Sequence, residues 1–272
     1  MPDSIVVVIG SGGMGLAIAR RQACGRKVVL ADVDDARLER DVAALGDEGF
    51  DAVGRTVDVG SADSVTALAE FSASLGNVDQ VIHTAGLSPV QAPVEAILRV
   101  DLLGVALSLD AFGAVVAQRG AGVVVASMAG HIYPPLAADH AAALAITPSS
   151  ELLSLDFLTE LAGDPGSAYA IAKQANHVRV RAAAGVWGAR GARVNSISPG
   201  VIATAMGQAE LGGDSGDAMR AMIAMSGTGR LGTAADIADA TAFLLSPAAS
   251  FITGTDLLVD GGAVAAIATP RE

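Results

Sequence analysis

The 272-residue chain predicts an α/β protein: a doubly wound parallel sheet of about seven strands with helices on both faces. Three observations carry this. Short Val/Ile-rich runs alternate with amphipathic or Ala-rich segments along the whole chain. The runs are continuously apolar, as strands covered on both faces require. Hydrophobic residues make up 51% and charged residues 17%, which excludes a disordered chain and supplies a large core.

The elements follow in order. An apolar run at 5–9 predicts the first strand, and the Ala-rich 14–24 the first helix. A strand at 27–30 leads to a helix at 35–45, and a strand at 52–57 to a helix at 64–75. A strand at 78–83 precedes a long helix at 94–118. Strands at 122–126, 193–197 and 256–259 complete the sheet, with helices at 168–187 and 234–245 between them. Strand–helix alternation gives right-handed parallel crossovers. One domain over 1–272 accommodates all of it. Two regions break the rhythm. Residues 130–167 hold Pro134, Pro135, Pro148 and an apolar patch at 152–158, and read as an insertion with one or two short helices. Residues 205–229 are glycine-rich and carry four of the chain's seven methionines, and read as a mobile flap over the substrate.

Composition narrows the function. With 17 basic against 29 acidic residues the formal charge is −12, and no basic face is offered to nucleic acid. The single cysteine, Cys24, excludes an internal disulfide and a cysteine metal cluster, and its place on the first helix reads as small core packing. No apolar run approaches the ~18 residues of a membrane helix, and no basic leader precedes residues 5–9. A cytoplasmic protein without a membrane partner is expected.

Gly10-Ser11-Gly12-Gly13-Met14-Gly15 follows the first strand and opens the first helix. Gly10, Gly12 and Gly15 fit G-x-G-x-x-G, in which backbone N–H groups approach a pyrophosphate where a Cβ would obstruct. The helix that follows presents its positive end to the same anion. A tight strand-to-helix turn is the plain alternative. The second strand ends near Asp32, where a carboxylate can bind both hydroxyls of an adenosine ribose and repel a 2′-phosphate. Ser11 and the segment after Asp32 supply no cation before Arg37. NAD is therefore expected over NADP, with helix capping as the other role open to Asp32.

Tyr169 and Lys173 stand four apart at the start of an Ala-rich helix, in a chain with two tyrosines. That spacing puts phenol and ammonium on one helical face, and the cation should lower the tyrosine pKa from about 10. A tyrosine tuned this way is a general acid or base.

On these residues the sequence resembles the short-chain dehydrogenase/reductase family over essentially its whole length. The resemblance implies a Rossmann-type fold, a nicotinamide cofactor and alcohol–ketone chemistry. The family's aspartate after the third strand is similar to Asp58-Val59, and its Asn-Asn-Ala-Gly segment appears as His83-Thr84-Ala85-Gly86. Its catalytic serine resembles Ser127, its Tyr-x-x-x-Lys is Tyr169 and Lys173, and its Pro-Gly segment resembles Pro199-Gly200 with Ile202 and Thr204 downstream. The resemblance implies that Ser127, Tyr169, Lys173 and Asp101 serve catalysis. It implies that Gly10 to Gly15, Asp32, Asp58, Val59, Ala85, Gly86, Tyr169, Lys173, Ile202 and Thr204 bind the cofactor.

Three departures stand out. Asp101 replaces an asparagine whose role, by resemblance, is to hold a water behind the lysine largely through its carbonyl. His83-Thr84 replaces two asparagines, so the local tethering must differ, and His83 reads as structural. Ser127 and Tyr169 are separated by the 130–167 insertion, which resembles that of bacterial 3α-hydroxysteroid dehydrogenase/carbonyl reductases and implies a hydroxysteroid or other bulky substrate. A carbonyl reductase of small keto esters or acyl thioesters, or a catalytically silent NAD-binding regulator, would carry the same motifs. His131, His140 and His177 lack metal-ligand spacing, so no metal is expected. Trp187 reads as packing, and Arg179 and Arg181 as a solvated face or subunit contact. A homodimer through the C-terminal elements is expected, with a tetramer as the alternative.

Overall fold

The computed structural model describes residues 3–161 and 163–269. The chain runs β1 (Asp3–Ile9), α1 (Gly13–Gln22), β2 (Lys27–Asp32), α2 (Asp35–Asp47), β3 (Asp51–Thr56), α3 (Ala62–Leu75) and β4 (Gly76–His83). Next come α4 (Val94–Ile97), a π-helical turn (Leu98–Leu103), α5 (Gly104–Val115) and β5 (Val116–Val125). The segment before the long helix holds α6 (Ala129–Ile132), α7 (Ala138–Ile146), a 3-10 turn (Ser149–Ser154) and α8 (Asp156–Thr159). The chain then forms α9 (Pro165–Ala189), β6 (Arg193–Pro199), α10 (Ala205–Leu211), α11 (Gly216–Met225), α12 (Ala234–Leu245), β7 (Asp256–Val259) and α13 (Ala263–Ala268).

The seven strands form one parallel sheet in the order β3-β2-β1-β4-β5-β6-β7. The chain leaves β1 in one direction and returns to its other side with β4. That reversal opens a crevice at the carboxyl ends of β1 and β4, where ligands bind such sheets. Strand alternation divides the core. Ile5, Val7 and Ile9 pack into the layer that includes Val65, Leu68, Val105, Phe112 and Trp187. Val6 and Val8 pack into the layer with Ile18, Leu38, Ile237 and Leu244. Trp187 is buried and donates its indole N–H to the Leu109 carbonyl at 3.1 Å.

Several expectations change. The long helix at 94–118 breaks into α4, the π turn and α5, and the chain enters β5 at Val116. Cys24 is exposed, because α1 ends at Gln22 and a positive-φ Gly25 (+72°) turns the chain outward. Arg179 is buried rather than solvated, and its guanidinium donates to the Thr147 carbonyl at 2.5 Å. Residues 205–229, expected as a flap, contain the two short helices α10 and α11. The segment 129–161 contributes Leu144, Leu152 and Leu158 to a third core with Ile97, Leu102, Ala168, Ala172 and Ala175. It therefore packs against α4, the π turn and α9, with Tyr169 on the same cluster.

Candidate active site

The glycine loop is shaped by close approach of backbones. Gly10 has φ +103°, and a Cβ there would stand 2.6 Å from the Ala85 nitrogen. A Cβ on Gly15 would meet the Gly10 carbonyl. Gly12, which caps α1, faces open space, while Gly13 lies against the Thr204 methyl. The loop thus leaves its outer side free at a helix N-terminus, a shape that fits a dinucleotide pyrophosphate. Met14 packs on the core beneath. The Thr84 hydroxyl donates to the Gly10 carbonyl at 2.8 Å and ties β4 to the loop, the tether that differs from the asparagine pattern. His83 is buried with Nδ1 3.0 Å from the Ser108 hydroxyl. Burial, reinforced by the Lys173 charge, pushes its imidazole down to about 3, so it is neutral.

Asp32 closes the loop from the end of β2. Its Oδ2 accepts from the Ser11 nitrogen at 2.7 Å and hydroxyl at 3.0 Å, and its Oδ1 from the Asp34 nitrogen at 3.0 Å. The fold also returns Arg37 to this corner, 3.9 Å from Asp32 and 3.6 Å from Asp34. Asp58 follows β3, half exposed, and accepts from the Gly60 nitrogen, while Val59 is buried against Gly104. Ala85 and Gly86 follow β4, with the Ala85 nitrogen donating to the Ile9 carbonyl at 2.9 Å. Ile202 is buried and bridges to Gly232, and Thr204 caps α10 through the Gly207 nitrogen.

Ser127, just past β5, and Tyr169 and Lys173, on α9, converge at the crevice. The Ser127 hydroxyl faces the Tyr169 phenol and accepts from the Ala129 nitrogen at 3.1 Å. The Lys173 ammonium stands 5.3 Å from the Tyr169 ring centre and 3.5 Å from the Val125 carbonyl. Asp101 projects from the π turn, a helix irregularity found often at functional sites. Its carboxylate, not its carbonyl, meets the lysine, with Oδ2 2.9 Å from Nζ in an ion pair off the ideal hydrogen-bond direction. Oδ1 accepts from the Leu87 nitrogen at 2.8 Å. The Asp101 carbonyl accepts from the Asn176 amide at 2.9 Å in the amide orientation that satisfies both ends.

Electrostatics here differ from the simple expectation for a tyrosine beside a lysine. Burial pushes the Tyr169 phenol up; Lys173 pulls it down, but Asp101 pushes it up again. The net direction is up, although Tyr169 keeps part of its surface open to the cleft, which bounds the push. Burial alone would lower Lys173, yet the Asp101 carboxylate and Tyr169 hold its proton on. Burial raises Asp101 against the pull of Lys173.

The sequence reading missed Glu210, Ser88, Asn176 and the position of Arg37. Glu210 sits on α10, half-buried near Ser88; burial pushes its carboxyl up, and its charge pushes Tyr169 up. No local motif marks these residues, since each acts across a tertiary contact.

A doubly wound sheet with a glycine loop at its switch point and a phenol, hydroxyl and ammonium beside it defines a dinucleotide-binding fold suited to oxidation and reduction. A short chain dehydrogenase family model matches residues 4–146, and a model described as Enoyl-(Acyl carrier protein) reductase matches 132–264. The chain is 40% identical over 269 residues to short-chain dehydrogenase/reductase bsc3 of Alternaria brassicicola, covering 97% of each. It is 31% identical to the galactitol 2-dehydrogenase (L-tagatose-forming) of Cereibacter sphaeroides, covering 96% and 95%. It is 29% identical to the 3-alpha-hydroxysteroid dehydrogenase/carbonyl reductase of Comamonas testosteroni, covering 94% and 95%. The chain belongs to the short-chain dehydrogenase/reductase family, oxidoreductases of alcohols and ketones that use a nicotinamide cofactor. No helix among the described residues is long and apolar enough to cross a membrane.

Proposed function

We propose that this protein is an NAD-dependent oxidoreductase that interconverts a secondary alcohol and a ketone, with a hydroxysteroid or similarly bulky apolar alcohol as substrate. The convergence of Tyr169 with Ser127 and Lys173 at the open end of the crevice carries this reading. When bound, the nicotinamide supplies or accepts the hydride. In reduction, the Tyr169 hydroxyl gives its proton to the substrate oxygen. Ser127 donates a hydrogen bond to the charge developing on that oxygen. The ammonium of Lys173 stabilises the phenolate left behind, and Asp101 keeps that ammonium charged and in place. Oxidation runs the same proton in reverse.

Gly10 to Gly15, Asp32, Asp58, Val59, Ala85, Gly86, Ile202 and Thr204 would hold the cofactor, with Lys173 at the nicotinamide ribose. NAD is favoured over NADP because Asp32 occupies the ribose corner and Arg37 is already paired with two carboxylates. The bulky-substrate reading draws on the 129–161 segment and α10 flanking the cleft, and on the relative named for 3-alpha-hydroxysteroids. A cytoplasmic homodimer suits an enzyme drawing on a nicotinamide pool.

The deciding experiment is a turnover screen over steroids, cyclic alcohols and keto esters with NAD(H) and NADP(H), followed by cofactor absorbance. Turnover of a secondary alcohol with NAD supports the proposal. One observation favours a second reading: Asp101 opposes the Lys173 field at Tyr169, as a silent NAD-binding regulator could tolerate. NAD binding without turnover across the screen would favour that reading.

A further inference from the structure

Behind the catalytic pair, three groups from three elements meet at one point. His131 lies on α6, four residues after Ser127, His177 on α9, four after Lys173, and Asp256 opens β7. His131 Nε2 is 2.8 Å from Asp256 Oδ2, and His177 Nε2 is 3.4 Å from Asp256 Oδ1. One donor atom from each residue lies within 4.8 Å of the others. The two imidazole rings are 4.9 Å apart and tilted by 46°. Asp256 is held from behind by the Ser196 hydroxyl, which donates to Oδ1 at 2.6 Å. The Ser198 hydroxyl stands 2.9 Å from His177 Nε2.

We propose that His131, His177 and Asp256 form a binding site for a divalent transition metal of the Zn²⁺ or Co²⁺ class, with water completing the coordination. Two imidazoles and one carboxylate select such ions over Mg²⁺ or Ca²⁺, which prefer oxygen ligands. With ligand bonds of about 2.0–2.1 Å, tetrahedral donors stand about 3.4 Å apart. His177 meets Oδ1 at that spacing and His131 meets the other oxygen, Oδ2, at 2.8 Å, so His131, partly exposed on a single helical turn, has to turn for all three donors to face one ion. The Ser198 hydroxyl turns aside, while Ser196 keeps the carboxylate oriented as an outer partner. Burial pushes the His177 imidazole down, favouring the unprotonated form that ligates. The ion would fasten the turn after Ser127 to α9 and to the sheet edge, away from the proton path itself. The proposal stands apart from the redox reading, since it requires no cofactor and no turnover.

The test uses the intact protein and the metal alone: Co²⁺, read by visible d–d absorption, and diamagnetic Zn²⁺, read by histidine ring NMR. One saturable equivalent is expected, with the His131 and His177 ring signals displaced and those of buried His83 and of His140, stacked on Phe157, unmoved. His177→Ala and Asp256→Asn should each weaken binding at least ~10-fold, the lower end for disturbing even an outer partner of a metal site. Should either fail to fold, His131→Gln at the exposed rim gives the same reading, and the ring shifts need no variant. Absence of saturable binding, binding undiminished in His131→Gln, or shifts centred on His140 would each overturn the proposal.

Discussion

The Asp101 carboxylate lies 2.9 Å from the Lys173 ammonium, and both side chains are almost wholly buried. The pair changes the electrostatic sum at the site. Lysine alone would present an uncompensated positive charge to Tyr169 and pull its pKa down. Beside Asp101 the pair is close to neutral, and the phenol is held up by its surroundings. Asp101 sits buried within the π turn between α4 and α5.

Asp101→Asn should therefore lower the Tyr169 pKa, since the carboxylate it removes pushes that pKa up. In the proposed mechanism the phenolate is the base in alcohol oxidation, so the rising limb of the oxidative pH profile should move to lower pH. Turnover should hold or rise at neutral pH. Stability should fall by up to about 3–5 kcal/mol, the cost of leaving one partner of a buried pair alone. A turnover loss as deep as that of Tyr169→Phe would show instead that the carboxylate takes part in the chemistry.

Tyr169→Phe keeps the ring and removes the proton. Turnover should drop at least ~10²-fold, the usual scale for a general acid, with little change in cofactor affinity. Single-turnover kinetics and a cofactor titration separate the two quantities. Near-normal turnover would remove Tyr169 from the mechanism.

Cofactor choice rests on the corner formed by Asp32 and Arg37. NAD(H) should bind at least tenfold more tightly than NADP(H), about 1.4 kcal/mol. Asp32→Ser should narrow the gap, because it removes the repelling carboxylate and leaves Arg37 with one acidic partner, Asp34, in place of two. Calorimetric titration of both cofactors reads this directly; equal affinities in the unaltered protein would refute the assignment.

Leu152 is fully buried where the 129–161 segment meets α9. Leu152→Ala should cost about 2–5 kcal/mol, as large-to-small changes in packed cores do. A chemical denaturation series measures it. A loss under 1 kcal/mol, on the order of a surface change, would mean that the segment is only loosely attached.

The sheet was legible in the sequence because its strands are covered on both faces and reduce to unbroken Val/Ile runs. The helix at 234–245 was legible to the residue, since Thr233 and Asp236 form a capping box at its start. The break in the helix after Val94 left no comparable mark: 98–103, the π turn, contains neither proline nor glycine. Ser127, Tyr169 and Lys173 were legible through local motifs. The pairing of Asp101 with Lys173, the return of Arg37 to Asp32 and the charge of Glu210 near Tyr169 are tertiary facts. So is the meeting of His131 with Asp256, which stand 125 positions apart.

Assembly gives the last test. Apolar residues of α4, the π turn and the first half of α9 are covered by Leu144, Leu152 and Leu158 of the chain's own 129–161 segment. The C-terminal elements remain open and apolar: Phe251 is fully exposed, and Phe243 on α12 and Ile267 on α13 are 45% and 42% exposed. Exposed aromatics beside an edge strand favour association with a second copy, and a two-fold pairing is the commonest form. A homodimer through α12 and β7 is expected by light scattering. Phe251→Glu would place two carboxylates in that contact and should yield monomers at the same concentration, with the melting transition of the monomer otherwise intact. A tetramer built on a bundle of α5 and α9, or a dimer untouched by Phe251→Glu, would refute both this interface and the covering role assigned to the 129–161 segment.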